Sequence, residues 1–305
     1  MEVIKVFVII VTYNGKQWYD RCLGSLRQSE IPVQTVVIDN ASNDGTVEYI
    51  RENYPEIHLI ASNTNLGFGQ GNNKGMRYAL DNGADYVFLL NQDAWIEPNT
   101  LKKLVEIHKH NPQYGILSPM HINADKTAIE KGLMHYVADL KITDPAWIND
   151  LYFNNMKAVY STNYVNAAAW LLPRKTLETI GGFDPIFFHY GEDDNYMHRV
   201  IYHRMRIGIC PTVRVVHDTE RRIKKSIESM QSESKNLLVE LTNVNYSGSV
   251  ALVILNSIQK FIFHLLKFNF STTKYHVKKI RYIIRMKSNI IKSNNTNKKE
   301  GPHWL

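Results

Sequence analysis

Apolar and polar positions in the first hundred residues alternate in blocks that read as strand, polar loop and helix. Residues 3–11 form a near-continuous β-branched run, the pattern of a strand covered on both faces. The run stops at Thr12-Tyr13-Asn14-Gly15, and Trp18, Cys22, Leu23 and Leu26 then follow at helical spacing. Residues 33–38 predict a second strand ending at Asp39. The polar turn 40–45 leads into a helix with Val47 and Ile50 inward. Residues 57–61 predict a short third strand, and the Asn/Gly-rich stretch 62–73 predicts a loop opening a helix that ends near Leu80. Residues 86–90 predict a fourth strand, followed by Asn91-Gln92-Asp93. A repeated strand–loop–helix unit implies an α/β fold with a mostly parallel central sheet and flanking helices. Ligands of such sheets bind beyond the carboxyl ends of the strands. Thr12/Asn14, Asp39/Asn40 and Asn91/Asp93 would share that edge.

Further along, residues 100–110 predict a helix after Pro98, and 115–119 a strand. The stretch 125–160 carries Tyr136, Trp147, Tyr152, Phe153 and Tyr160 without a clear period. It reads as loops and antiparallel strands lining a second site, or as irregular packing. Residues 167–172 are apolar, 174–180 predict a helix, and 181–185 a turn. Phe187-Phe188-His189-Tyr190 leads to three consecutive acids, Glu192-Asp193-Asp194, at the start of a helix over 195–205. Residues 207–211 and 213–216 predict two short strands ending at His217-Asp218. From 248 onward lysines interrupt apolar helical segments. Residues 274–292 read as a basic amphipathic helix, and 293–305 as disordered.

At 305 residues, 44% hydrophobic and 21% charged, the chain has the composition of a globular protein rather than a disordered or fibrous one. Its length suits one large or two smaller domains. Two cysteines, Cys22 and Cys210, exclude a disulfide scaffold and a four-cysteine zinc site. The net charge of +7 is uneven, because residues 257–305 hold eleven Lys and Arg against one acid, Glu300. The remainder is therefore net acidic, which argues against a nucleic-acid binder. No run reaches the ~20 apolar residues of a spanning helix. The run 6–11 is too short for a signal core, so a cytoplasmic location is expected.

Four groups of residues are candidates for chemistry. The glycine-rich run 65–73 is not a dinucleotide fingerprint, because its sixth position is Asn72 and it follows the third strand. It could present N–H groups to a phosphate or be a tight turn. Asn91-Gln92-Asp93 at a strand end suits a divalent cation such as Mg²⁺ or Mn²⁺, which takes oxygen ligands and completes its shell with phosphates. Glu192-Asp193-Asp194 would repel one another, raising at least one pKa. They read as a general base or as helix capping. His217 gains weight only if the fold brings it near Asp93.

Together these residues resemble the family 2 glycosyltransferases with the GT-A fold, in the rhamnosyltransferase-like branch. The resemblance runs in order over roughly residues 3–218. It comprises Val11-Thr12-Tyr13-Asn14, the run from Val37 to Thr46 around Asp39-Asn40, and Asn65-x-Gly67-Phe68-Gly69 with Asn73-x-Gly75. It continues through Leu90-Asn91-Gln92-Asp93, Gly181-Gly182-Phe183-Asp184, Gly191-Glu192-Asp193 with Arg199, and His217. It implies an inverting, metal-dependent hexosyltransferase. The donor would be a nucleotide-diphosphate sugar, dTDP-rhamnose or a UDP-hexose. The acceptor would be a hydroxyl of a glycan or lipid-linked glycan, in bacterial cell-surface polysaccharide synthesis.

Under this resemblance Asp39 would bind the imide N–H of a uracil or thymine, and Thr12, Tyr13 and Asn14 would line the base and ribose pocket. Asn40, Gly67, Asn73, Asn91 and Gln92 complete the donor set. Asp93 would ligate Mg²⁺ or Mn²⁺, with His217 a further metal ligand or diphosphate contact. Phe183, Asp184 and Glu192 would meet the acceptor. Asp193 would be the base, with Asp194 the alternative. The chain departs from the family pattern at Asn91, where the first Asp of Asp-x-Asp is common, and at Asn195, where a second Asp is common. These departures keep a degenerate, nucleotide-sugar-binding scaffold in view. A sugar nucleotidyltransferase lacks its triphosphate loop here. The implied domains are a GT-A unit over 1–245, with a nucleotide-sugar half (1–98) and an acceptor half (99–245), and a basic helical tail over 246–305. The tail lies outside the resemblance. Its segment 250–292 is expected either to rest on an anionic membrane, peripheral at the inner face, or to pack as a cap or dimer contact.

Overall fold

The computed structural model describes residues 4–138, 141–219, 229–246, 250–268 and 270–305. Val3 of the first predicted strand, and residues 247–249 and 269 of the predicted tail, lie outside the described residues.

Strand β1 (Val6–Thr12) is followed by a short 3₁₀ turn and helix α1 (Tyr19–Arg27), then β2 (Val33–Asp39), α2 (Thr46–Asn53), β3 (His58–Ala61), α3 (Gly67–Asp81) and β4 (Tyr86–Leu90). The chain continues through β5 (Ala94–Ile96), α4 (Thr100–His110), β6 (Tyr114–Ile122), α5 (Lys131–Ala138), α6 (Trp147–Tyr152), β7 (Tyr160–Thr162) and β8 (Ala169–Pro173). Next come α7 (Arg174–Ile180), α8 (Glu192–Tyr202), β9 (Arg206–His217), α9 (Ser229–Leu241), α10 (Val250–Leu266) and α11 (Phe270–Asn297). Among the described residues all strands join one sheet, in the order β3-β2-β1-β4-β8-β6-β9-β5, with β7 on β9. The first four are parallel, β8 is antiparallel to β4, and the second half is mixed.

The continuous apolar runs follow from burial on both faces. Successive side chains of a strand point to opposite sides. Val6, Val8 and Ile10 thus enter one core with α1 and α4, while Phe7 and Ile9 enter another with α3, α7 and α8. In β4, Tyr86, Phe88 and Leu90 join the first core, and Val87 and Leu89 the second. Cys22 and Cys210 are buried free thiols in the first core.

Four expectations need correction. The glycine-rich run is helical from Gly67 rather than a loop to residue 73. Its glycines bring α3 against the sheet: a Cβ at Gly71 would lie 2.8 Å from Val11 Cγ1, and one at Gly75 would strike Ile9 and Ile38. Second, the stretch 125–160 holds two short helices, α5 and α6, besides strand β7. Third, the two short strands predicted over 207–216 are one strand, β9. Its register on β6 slips between Pro119↔Cys210 and Met120↔Arg214, so residues around Pro211 bulge out of the ladder.

Fourth, residues 293–305 are ordered. The polar composition that suggests disorder instead fills a buried network. Ser293 and Asn297 donate to Asp184 Oδ2 at 2.5 and 2.7 Å, and Trp304 Nε1 donates to Asn297 Oδ1 at 2.9 Å. The Gly182 N–H donates to the His303 carbonyl at 2.7 Å, and the Gly301 N–H to the Thr179 carbonyl at 3.0 Å. A third core of Phe187, Leu237, Leu238, Leu241, Val253, Ile283 and Ile290 joins α9–α11 to the segment preceding α8.

Candidate active site

The parallel half of the sheet sets the site. Thr12 and Asp39 are register partners at the carboxyl ends of β1 and β2, and β4, parallel to β1, delivers Asn91-Gln92-Asp93 to the same edge. The loops are stitched together by side chains. Gln92 Oε1 accepts from Thr12 Oγ1 at 2.6 Å and from the Tyr13 N–H at 3.0 Å. The Asn14 N–H donates to Ser42 Oγ, and the Asn43 N–H donates to Asn14 Oδ1, each at 2.9 Å. Asn14 adopts a left-handed φ of 51°, which asparagine tolerates. Asp39 is buried. Its Oδ2 accepts from the Ser42 N–H, while Oδ1 has no hydrogen-bond partner among the described residues. Leaving a buried carboxylate oxygen unsatisfied costs about 1–3 kcal/mol, so a ligand N–H there would be favoured.

Beyond these loops opens a cleft of about 740 Å³, within the usual range for small-molecule sites. Thr12, Tyr13, Asn14, Asn40, Gly67, Asn91, Gln92, Asp93, His217 and the three acids 192–194 all line it. The antiparallel pair β5–β9 brings His217 to Asp93, with Nε2 3.6 Å from Oδ1. Asn91 Nδ2 lies 3.4 Å from the same ring nitrogen. A carboxylate, an imidazole and an amide facing one cleft form a donor set that fits Mn²⁺ or Mg²⁺. Behind His217, the ligand atoms of His121, Glu130 and His217 lie within 4.8 Å of one another. Burial and the nearby His217 push His121 down to about 3, so it is neutral.

The acids occupy the first turn of α8. Gly191 (φ 96°) and Tyr190 (φ 68°) are both left-handed and turn the chain into this helix. Helix N–H groups favour negative charge there. Burial, with help from the Asp193 charge, nevertheless pushes Glu192 up to about 7 and Asp194 up to about 6. Burial also raises Asp193. Its Oδ1 accepts from the Asp194 N–H at 3.0 Å and its Oδ2 from the Tyr164 hydroxyl at 3.3 Å. Glu192 Oε2 is buried without a hydrogen-bond partner among the described residues. Lys235 on α9 lines the same cleft, draws all three pKa values down, and lies 5.6 Å from the Tyr190 ring.

Four expected site residues are off the cleft lining: Asp39, buried at the end of β2, and Asn73, Phe183 and Asp184. Asn73 is buried and clamps the Phe183 backbone, donating to its carbonyl at 2.8 Å and accepting from its N–H at 2.7 Å. Phe183 is fully buried among Phe68, Trp170 and Tyr196. Asp184 is buried and holds Ser293, Asn297 and the Ile186 N–H. The side chains of Asn73, Phe183 and Asp184 are engaged inside the protein and do not line the cleft. Asn40 lines the cleft, but its amide also fixes the start of α3 through the Leu66 N–H and the Gly67 carbonyl. Glu130, Tyr136, Tyr164 and Lys235 line the cleft without having been singled out as site residues. Tyr136 belongs to the aromatic stretch. Lys235 lies in a segment with no motif.

Comparison with known proteins accords with this geometry. Residues 7–180 match the family model described as Glycosyl transferase family 2. A similar protein is the low-salt glycan biosynthesis hexosyltransferase Agl10 of Haloferax volcanii, 27% identical over 69% of this chain and 66% of its own length. Another is the dTDP-rhamnosyl transferase RfbF of Shigella flexneri, 24% identical over 70% of this chain and 68% of its own. A third is the N-acetylglucosaminyl-diphospho-decaprenol L-rhamnosyltransferase of Mycobacterium tuberculosis, 26% identical over 61% and 67%. The chain thus spans about two-thirds of the length of these relatives. Among solved structures, GalNAc-T7 with UDP, GalNAc and Mn²⁺ superposes with a TM-score of 0.57 at 14% identity, over 78% of this chain and 48% of that one. That likeness gives the fold, GT-A. With more than half its length matched by one family model, the chain belongs to glycosyl transferase family 2.

Proposed function

We propose that the protein is an inverting glycosyltransferase that moves a sugar from a nucleotide-diphosphate donor, dTDP-rhamnose or a UDP-hexose, to a hydroxyl of a glycan or lipid-linked glycan. Its setting would be bacterial cell-surface polysaccharide synthesis, at the inner face of the membrane. One observation carries the reading: nucleotide-facing loops from three parallel strands and a buried carboxylate cluster line a single cleft. Residues 1–98 would hold the donor, and 99–245 the acceptor.

Asp39 Oδ1 would accept the imide N–H of a pyrimidine, and Tyr13 and Asn14 would border the base and ribose. Asp93, His217 and Asn91 would hold Mn²⁺ or Mg²⁺, which supplies positive charge to the departing diphosphate. Asp193, with its raised pKa, would accept the acceptor-hydroxyl proton as that oxygen bonds to the anomeric carbon. The carbon–phosphate-oxygen bond breaks on the opposite face, the nucleoside diphosphate leaves, and the configuration inverts. The Tyr164 hydroxyl and the Asp194 N–H aim the carboxylate.

Thermal-shift screening with UDP-, dTDP- and GDP-sugars, with Mn²⁺ or chelator, tests the reading. A ligand that binds only the folded form raises Tm. A metal-dependent rise with one uridine or thymidine sugar is expected. A flat response across all nucleotides from folded protein would oppose it.

The acids also predict a pH dependence. Lys235 favours their charged forms, so Lys235→Met raises their pKa values further. The acid limb of kcat/KM should move up by about one unit, with activity recovered at higher pH. An unmoved limb would remove Lys235 from the electrostatics of the base.

A further inference from the structure

We propose that the α10–α11 hairpin is a docking surface for anionic lipid headgroups, with its tip entering the bilayer interface. This deepens the peripheral-membrane part of the reading above but does not depend on the transfer chemistry.

Three observations carry it. Leu255, Ile258, Ile262 and Leu266 recur at spacings of three and four along α10 and are between 38% and 74% exposed. They form an outward apolar stripe, while Val253 and Ser257 face inward. At the turn, Leu266, Phe268 and Phe270 are 74%, 79% and 67% exposed. Second, α10 and α11 contain no Asp or Glu. Lys274, Arg281, Arg285 and Lys292 are exposed on α11 at spacings of seven, four and seven, which place them on one helix face. Third, no helix among the described residues is long and apolar enough to cross a membrane. An exposed apolar tip flanked by Lys267 and Lys274, on a hairpin with no acid of its own, suits shallow entry into an anionic interface rather than a span. A second copy of the chain fits less well, because pairing two tips would bring the Lys267 and Lys274 charges of both copies together.

The surface is tied to the site. At 28 residues, α11 is about 42 Å long. Its far end is buried against Asp184 through Ser293 and Asn297. Between the ends, Ile283 and Ile290 pack in the third core with Phe187, five residues before Glu192. Docking through the tip would therefore hold the base-bearing segment at a fixed height over the lipid surface, where a lipid-linked acceptor lies.

The test is flotation of the full chain with vesicles of phosphatidylcholine alone or mixed with phosphatidylglycerol, without donor or acceptor. Wild type should float with the mixed vesicles, not with pure phosphatidylcholine, and be released by salt. Two triple variants, Leu266→Asp/Phe268→Asp/Phe270→Asp and Lys274→Glu/Arg281→Glu/Arg285→Glu, should each lose about tenfold or more in binding with unchanged melting. No flotation, equal flotation with both vesicle types, or a dimer in solution that the tip variant splits would overturn the proposal. A protein that floats but transfers no sugar would leave docking standing and count against the transfer reading alone.

Discussion

Asp193→Asn is expected to lower kcat for sugar transfer by about 10³-fold, within the usual span for a lost general base, while the nucleotide sugar still raises Tm as it does for wild type. The amide keeps the shape: its Oδ1 can still accept from the Asp194 N–H, and its Nδ2 can donate to the Tyr164 oxygen in place of the bond Oδ2 accepts, so donor binding should survive. It cannot take a proton. Asp194→Asn is expected to cost under about tenfold, because the backbone N–H through which it holds Asp193 Oδ1 is kept. Equal losses at both positions would dissolve the distinction between them. A normal turnover for Asp193→Asn would remove it as the base.

The second large effect is on stability. Arg199→Ala should destabilise the fold by about 3–5 kcal/mol, roughly 6–20 °C in Tm for a domain of this size. Arg199 is 1% exposed. It donates to the Ile180 carbonyl at 2.9 Å and the Gly182 carbonyl at 2.6 Å, and lies 4.9 Å from the Tyr196 ring. Burial lowers its pKa to about 10, so it remains charged at neutral pH. Alanine leaves two buried carbonyls unsatisfied and opens a cavity beneath the base-bearing helix. Calorimetry of the purified variant measures this. A Tm within about 2 °C of wild type would show that the turn at 180–182 is held by other contacts.

What the sequence makes legible depends on whether a signal is local. Strands buried on both faces write themselves as unbroken apolar runs, so β1 and β4 are readable, and β2 is readable through its buried stretch Val36, Val37 and Ile38. Their carboxyl ends fall together because the strands are parallel, which places Thr12, Asp39 and Asn91 on one edge. The acids at 192–194 stand out because three carboxylates in a row need a helix start. Less legible are residues whose roles depend on distant partners. Asn73 and Phe183 are 110 positions apart, and Asp184 and Asn297 are 113 apart. No short-range pattern shows that these polar groups satisfy one another inside the protein. The glycine run misleads for a related reason: glycine reads as loop, yet here it lets α3 approach Val11 and Ile9. Lys235 carries no motif, and only the packing of α9 brings it to the cleft.

The most direct measurement of the central claim is ¹H NMR of the anomeric centre during the first turnovers with the donor identified by thermal shift, water serving as acceptor if no glycan is yet in hand. The account predicts a product of inverted configuration, formed without a lag and lost in Asp193→Asn. A product of retained configuration would contradict a single displacement assisted by this carboxylate.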